Sequence, residues 1–300
     1  MPSEGKPTVL IIGSTGKIGQ LVVKELEQHA KILTVRLSAR KKEQVDKWKK
    51  EGRDAVFLDL DEPSTFAEAL FGVERVFLCT GYTVAMLTQC KTVTDAARRA
   101  NVQHIVHMGA FSDGQAIDPH YVWHELVESY IKASGIAWTN LHPNVFMENV
   151  FAPNFSENKN VIDFYGGNRV GWIAVSDIAK VAAVCLREGP EKHAGKDYWL
   201  SSETFNMREV ADLLGGALGK KFGYALKSPD TDFEKYLGQS GIERWYLDGL
   251  RIWFKLVCSG EMGYIGTVRD DVPFVTGQPS LKLKDWIAQH KEVLLQTFKD

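Results

Sequence analysis

Three glycines at Gly-x-x-Gly-x-x-Gly spacing, Gly13, Gly16 and Gly19, stand directly after the apolar run Val9-Leu10-Ile11-Ile12. That order has a definite chemistry. A continuous apolar run is how a buried parallel strand reads. Glycines after it let a phosphate approach the backbone, and a helix starting there offers unpaired N–H groups and the positive end of its dipole. Ile18, Leu21, Val22 and Leu26 recur at helical spacing and give that helix an inner face. The turn Gly13-Ser14-Thr15-Gly16-Lys17-Ile18-Gly19 is therefore read as a nucleotide seat, with a plain structural turn as the alternative. Its spacing differs from the Gly-x-Gly-x-x-Gly of the commonest dinucleotide fingerprint.

The end of the second strand selects the nucleotide. An NAD site places Asp or Glu there for the ribose 2′-hydroxyl, whereas this chain reads Leu37-Ser38-Ala39-Arg40-Lys41-Lys42. A guanidinium suits a 2′-phosphate, so Arg40 is assigned to it, Lys17 is a second candidate, and the expected cofactor is NADP(H). The competing reading is a solvated basic helix, since eight basic residues lie between Arg36 and Arg53. Lys47 to Arg53 is given to that reading, with Glu43/Lys47 and Asp46/Lys50 as helical ion pairs. Other strand ends should line the same crevice: Asp59-Leu60, Thr80-Gly81-Tyr82, Met108-Gly109 and Pro143-Asn144. Asp59 has the alternative of capping a turn.

Five of the eight histidines fall between 104 and 142. His120 and His124 are one helical turn apart, the spacing of a metal pair, but no Cys or acidic cluster joins them and no metal is expected. His104 is read as a strand-edge residue and His142 as packing. His124 is placed at the start of a helix beside the strand-five crevice, where a near-neutral pKa would support proton donation; a satisfied structural histidine is the alternative. Tyr121 is the fallback donor. Near the C-terminus, Trp245, Tyr246, Trp253 and Phe254 stand close together, with Tyr165 nearer the middle. Singly they read as core; as a set, Tyr165, Trp245, Tyr246 and Trp253 suit the wall of a site for a flat aromatic substrate.

The elements that must position these residues alternate through the first half. Strands are expected at 32–37, 55–58, 75–79, 104–108 and 137–141 after the first. Helices are expected at 41–50, 65–70 (with Thr65 and Glu68 as a capping box), 84–100 and 121–134. This is an α/β, Rossmann-type doubly wound parallel sheet. Residues 1–150 are read as its nucleotide-binding domain, joined by a returning helix and strand at about 176–201. Residues 151–300 are read mostly as a smaller α+β substrate-binding lobe, closed by one helix from 281 to 298. With 300 residues, 44% hydrophobic and 25% charged, the composition is ordinary for a globular chain. A net charge of −2 argues against a nucleic-acid partner. Four cysteines without metal spacing are expected to be buried free thiols. No membrane span or signal segment is evident, and a cytoplasmic location is expected.

Five segments in order carry a resemblance: the Gly13 turn, FLDLDEPSTFAEALFGVERVFL (57–78), TDAARRANVQHIVHMGA (94–110), ESYIKASGIAWTNLHPNVFMEN (128–149) and WIAVSDIAKVAA (172–183). Over residues 8 to about 220 the chain resembles the NmrA-like branch of the atypical short-chain dehydrogenases. That family holds NADPH-dependent reductases of quinones, triphenylmethane dyes and phenylpropanoid ethers, and also redox-sensing regulators that bind NADP without turnover. The resemblance implies that Gly13 to Ile18, Arg40, Asp59, Leu60, Thr80, Gly81, Pro143, Asn144 and Phe146 border the cofactor. It also marks departures. Met108-Gly109 stands at the position of the usual catalytic Ser, and the usual Tyr–Lys pair is absent, since Glu125 follows Tyr121 by four residues. His124 stands where phenylpropanoid reductases carry Lys. The expected function is an NADPH-dependent reductase of a planar, conjugated small molecule such as a quinone, dye, imine or enone. The alternative is a non-catalytic NADP(H) sensor that docks a partner protein. A homodimer stays open.

Overall fold

The computed structural model describes residues 5–298. In the first half β1 (Thr8–Ile11) is followed by α1 (Lys17–Glu27), β2 (Thr34–Ala39) by α2 (Lys42–Lys50) and β3 (Asp54–Phe57) by α3 (Phe66–Leu70). Then β4 (Arg75–Leu78) is followed by α4 (Met86–Arg99), and β5 (His104–Met108) by α5 (Pro119–Ala133), before β6 (Ala137–Pro143). These strands pair in parallel in the order β6-β5-β4-β1-β2-β3. The chain runs outward from β1 to β3, crosses back, and runs outward again from β4 to β6. That reversal opens a crevice beyond the carboxyl ends of β1 and β4. Val9 and Ile11 pack with α1 on one face of the sheet, and Leu10 with α3 and α4 on the other. Burial on both faces is why the strand is uniformly apolar.

After β6 come β7 (Val145–Phe146), β8 (Ser156–Glu157), β9 (Asn160–Asp163), β10 (Val170–Ile173), α6 (Val175–Glu188) and the single turn α7 (Pro190–His193). Helix α6 packs beside α1, and β11 (Lys196–Ser201) extends the large sheet in parallel with β6. Next are β12 (Glu203–Phe205), α8 (Met207–Leu218), β13 (Gly223–Leu226), α9 (Phe233–Leu237) and α10 (Arg244–Ser259). Strand β14 (Arg269–Asp270) pairs antiparallel with β11 and completes an eight-stranded sheet. The chain ends in α11 (Val272–Thr276), α12 (Leu283–Gln289) and α13 (Lys291–Thr297). Strands β7, β10 and β12 form one small sheet, and β8, β9 and β13 another. A second core lies among them, with Trp172, Leu214, Leu283 and Trp286 buried together.

Several expectations change. The second strand begins at Thr34, because a turn on the His29 carbonyl holds Ile32 and Leu33, and it runs on to Ala39. Thr65 does not cap α3; its hydroxyl donates to the Glu62 carbonyl (2.8 Å). The full capping box is instead at α8, where Asn206 and Glu209 each accept the other's backbone N–H at 2.9 Å. The pairs Glu43/Lys47 and Asp46/Lys50 do not form among the described residues; Arg53 turns to Glu27 instead. The closing segment is two helices, broken at His290, whose ring stacks on Trp286 at 4.3 Å and bonds the Trp286 carbonyl. His104 is not at a strand edge but fully buried between β4 and β6, donating Nε2–H to Thr139 (2.8 Å), which donates in turn to the His193 carbonyl. All four cysteines are free; Cys90 and Cys185 are buried, Cys79 and Cys258 half-buried. Among the described residues no helix is long and apolar enough to cross a membrane.

Candidate functional site

The glycine turn is built for close backbone approach. Gly13 adopts φ +88°, and a Cβ on Gly19 would meet the Gly13 carbonyl well inside contact distance. Helix α1 can therefore start directly on the end of β1. Ser14 is turned inward: its hydroxyl donates to the Ile11 carbonyl (2.6 Å) and accepts from Ser38 N–H (3.1 Å), pinning the turn to β2. Thr15, Gly16 and Lys17 face outward, no side chain caps α1, and its first turn holds no acid. Its free N–H groups and positive end await an anion.

Beyond β2, Arg40 is exposed and makes no ion pair among the described residues. Arg36, four residues earlier, is already committed to Asp54 (3.1 Å) and to the Phe71 carbonyl (2.7 Å). Only the first guanidinium is available to a ligand. A phosphate-rich dinucleotide fits this end of the crevice: backbone donors at the turn, and an exposed cation past the second strand.

The remaining strand ends contribute backbone more than side chains. Asp59 accepts the Asp61 N–H (3.0 Å), so its carboxylate holds a turn, with Leu60 half-buried beside it. Thr80 is half-buried and Gly81 exposed after β4. Met108 is buried at the end of β5, and Gly109 bonds through its N–H to the Leu141 carbonyl (3.0 Å). Pro143 closes β6 in the core. The Asn144 amide is spent on the Ile265 carbonyl (2.8 Å) and Val145 N–H (2.9 Å), and Phe146 is half-buried against the main core.

Facing these ends is a group of rings from separate segments. Tyr82 meets Tyr246 edge-on at 5.5 Å, His120 meets Tyr246 at 5.1 Å and Trp253 at 6.3 Å, and Tyr165 meets Trp253 at 6.1 Å. Gly249 lets α10 press against Trp123 of α5, which brings the two helices together. Trp245 does not join them. One residue of helical rotation before Tyr246 carries it to the outer face, where it is 74% exposed. A separate open depression of about 480 Å³ lies on the outer surface of α2, lined by Glu43, Asp46, Lys47, Lys50 and Glu51. A shallow, charged helix surface has none of the converging buried groups of a ligand site.

The two expected donors are more deeply set than their spacing suggests. Tyr121 is buried, with its N–H bonded to Asp118 (2.9 Å), and burial drives its hydroxyl pKa far up. His124 lies in the second turn of α5, not at its start. Burial, aided by the His142 charge, lowers its pKa to about 4, so the expected near-neutral titration is corrected to a neutral imidazole. His107, 6.4 Å away, and His120 are likewise held neutral, each near 3, by burial.

Behind this row is a cluster the sequence reading missed. His142 Nδ1 faces the Ala110 carbonyl (2.8 Å) and Glu128 (3.6 Å), and its Nε2 faces Asp197 (3.0 Å). A carbonyl and a carboxylate only accept, so both nitrogens carry protons and neither has a lone pair for a metal. Burial disfavours that charge, but the Asp197 hydrogen bond, Glu128 and the Ala110 carbonyl outweigh it and raise the His142 pKa. Burial also opposes charge on Asp197, yet hydrogen bonds from His142 and Asn140 bring it down to about 2. Burial raises Glu128 to about 7. The available signal was the row His120, His124, Glu128 at i, i+4 and i+8, which places all three on one helix face.

Comparison with known proteins gives consistent relatives. The profile of the NmrA-like family matches residues 5–246. The chain is 28% identical over 291 residues to an NAD(P)H azoreductase of Xenophilus azovorans, covering 94% of this chain and 97% of that protein. The same fold occurs in an NADPH-dependent quinone oxidoreductase of Escherichia coli complexed with NADPH (TM-score 0.80, 22% identity, 97% of this chain and 100% of that one). It also occurs in a triphenylmethane reductase of Citrobacter sp. complexed with NADP(H) (TM-score 0.79, 21% identity, 94% and 99%).

Proposed function

The chain belongs to the NmrA-like family, and we propose that it is an NADPH-dependent reductase of flat, conjugated small molecules such as quinones, dyes, imines or enones. One observation carries this reading. Among the described residues the start of α1 is uncapped and Arg40 unpaired at the carboxyl ends of β1 and β2, while Tyr82, past the end of β4, meets Tyr246 in a group of rings whose neighbouring histidines are neutral. Gly13 to Gly19 seat the pyrophosphate, and Arg40, helped by Lys17, holds the 2′-phosphate. The bound cofactor supplies hydride. Tyr82 and Tyr165, backed by the buried rings of Tyr246 and Trp253, offer ring surface to a planar substrate. A neutral His124 offers one N–H to the acceptor atom that gains electron density. It does not stabilise a localised alkoxide as an ammonium would, which favours substrates that spread the added charge over a π-system. Residues 1–150 with 176–201 serve the nucleotide, and most of the remainder serves the substrate.

The azoreductase, quinone and dye reductase relatives support this reductase class. The test is steady-state NADPH oxidation with a panel of quinones, triphenylmethane dyes and azo compounds. Turnover with at least one class is expected. Tight NADPH binding without turnover of any of them would overturn the reading and favour a cofactor-sensing role.

A further inference from the structure

A carboxyl group stands under the crevice in a place where a side chain from the sheet would ordinarily be. At Gly109, just past β5, a Cβ would collide with Glu128 Oε1, so the missing side chain makes room for that acid. We propose that Glu128 is the proton store of the site, passing a proton along one face of α5 to His124 and being refilled from solvent beside the charged His142–Asp197 pair. The proposal rests on the reductase reading, in which each hydride delivered to an acceptor must be matched by one proton.

The route follows one helix face. One helical turn separates Glu128 from His124, a span that a single water bridges, and His124 is followed by His120 with ring centroids 5.7 Å apart. On the other side His142 Nδ1 lies 3.6 Å from Glu128 Oε1 and Nε2 lies 3.0 Å from Asp197 Oδ1. The Glu128 side chain is 10% exposed and that of Asp197 34%, so the outer end meets water. The inner end meets the rings around Tyr246 and Trp253.

The transfers balance. The Glu128 proton moves to the free nitrogen of His124 as the other nitrogen gives its own proton to the reduced acceptor. The carboxylate so formed, held beside the doubly protonated His142, takes its next proton from water at its own edge, where the side chain is 10% exposed. The net change is one proton from solvent to product. The charged groups around Glu128 are His142 from β6, Asp197 from β11, and Lys132 and Glu125 from its own helix. Burial outweighs the two cations and sets its titration near 7, where the acid is both loaded and able to release.

Glu128→Gln keeps the shape and removes the exchangeable proton. The folded wild type holds a proton that the unfolded chain releases, so its melting temperature should fall relative to Glu128→Gln as the pH rises from about 4.5 to 7. With a quinone acceptor, kcat of the variant should fall about 10²-fold with unchanged NADPH affinity. Gly109→Ala, which leaves Glu128 in the chain but displaces its carboxyl, should lower kcat in the same direction. Superimposable pH–stability curves for wild type and Glu128→Gln, or unaltered kcat in both variants, would overturn the proposal. Absence of turnover in wild type with every acceptor defeats the reductase reading itself, and the stability curves alone then decide whether Glu128 stores a proton.

Discussion

The two ends of the crevice are built on opposite terms. At the glycine turn the functional groups are backbone N–H donors and exposed cations, with almost nothing bonded to them: among the described residues α1 is uncapped and Arg40 is unpaired. At the α5–α10 end the rings touch one another, and the histidines are neutral for want of water. A diphosphate carries its own charge and needs only donors waiting for it, so a seat for it is left open and cheaply hydrated. A conjugated ring carries no such charge, so its surroundings must be apolar, and any proton it needs must be kept where burial holds it. The difference teaches where each kind of specificity resides: in unpaired groups at one end, in crowded ones at the other.

The comparison can be broken most severely at Gly19. A methyl group there strikes the Gly13 carbonyl, so Gly19→Ala should destabilise the fold on the order of 3 kcal/mol, read by urea unfolding. A loss below about 0.5 kcal/mol would mean that the turn yields and that its backbone donors are not rigidly placed. Next in size, Arg40→Ala should weaken NADPH binding by about 10- to 100-fold, the worth of one charge-assisted hydrogen bond, and leave NADH binding unchanged. Equal weakening of both would move 2′-phosphate recognition elsewhere, Lys17 first. The smallest effect is expected at Trp245→Ser. Being 74% exposed, Trp245 should contribute within about 0.5 kcal/mol of stability and nothing to KM for a quinone. A raised KM would bring it back into the substrate wall.

What could be read from the sequence divides along the same line. The strands, the glycine turn and Arg40 are local features: an apolar run, a spacing, a charge where an acid was expected. Each was visible within a dozen residues. The Glu128–His142–Asp197 cluster is not local. Its members come from a helix and two strands and meet only because β6 lies between β5 and β11. Nor does a sequence show how a polar side chain is spent. Ser14 and Asn144 sit inside the motifs, yet their side chains bond the protein's own backbone, and only their main chain remains available to a ligand. Helical phase separated Trp245 from Tyr246; the same arithmetic was available beforehand, once the start of α10 at Arg244 is known.

The order in which the large sheet is assembled has a consequence for synthesis. The strand beside β6 comes from residues 196–201, and the outermost strand from 269–270. A nascent chain that has emerged only through residue 150 therefore presents β6 as a bare edge, ready to pair with a neighbouring copy. The edge stays open until residue 201 has left the ribosome, and the sheet is finished only with residues 269–270. Because the large sheet draws its last strands from residues 196–201 and 269–270, the window for misassembly falls during translation rather than after it, and slowing elongation between residues 143 and 196 should lower the soluble yield more than slowing it anywhere else.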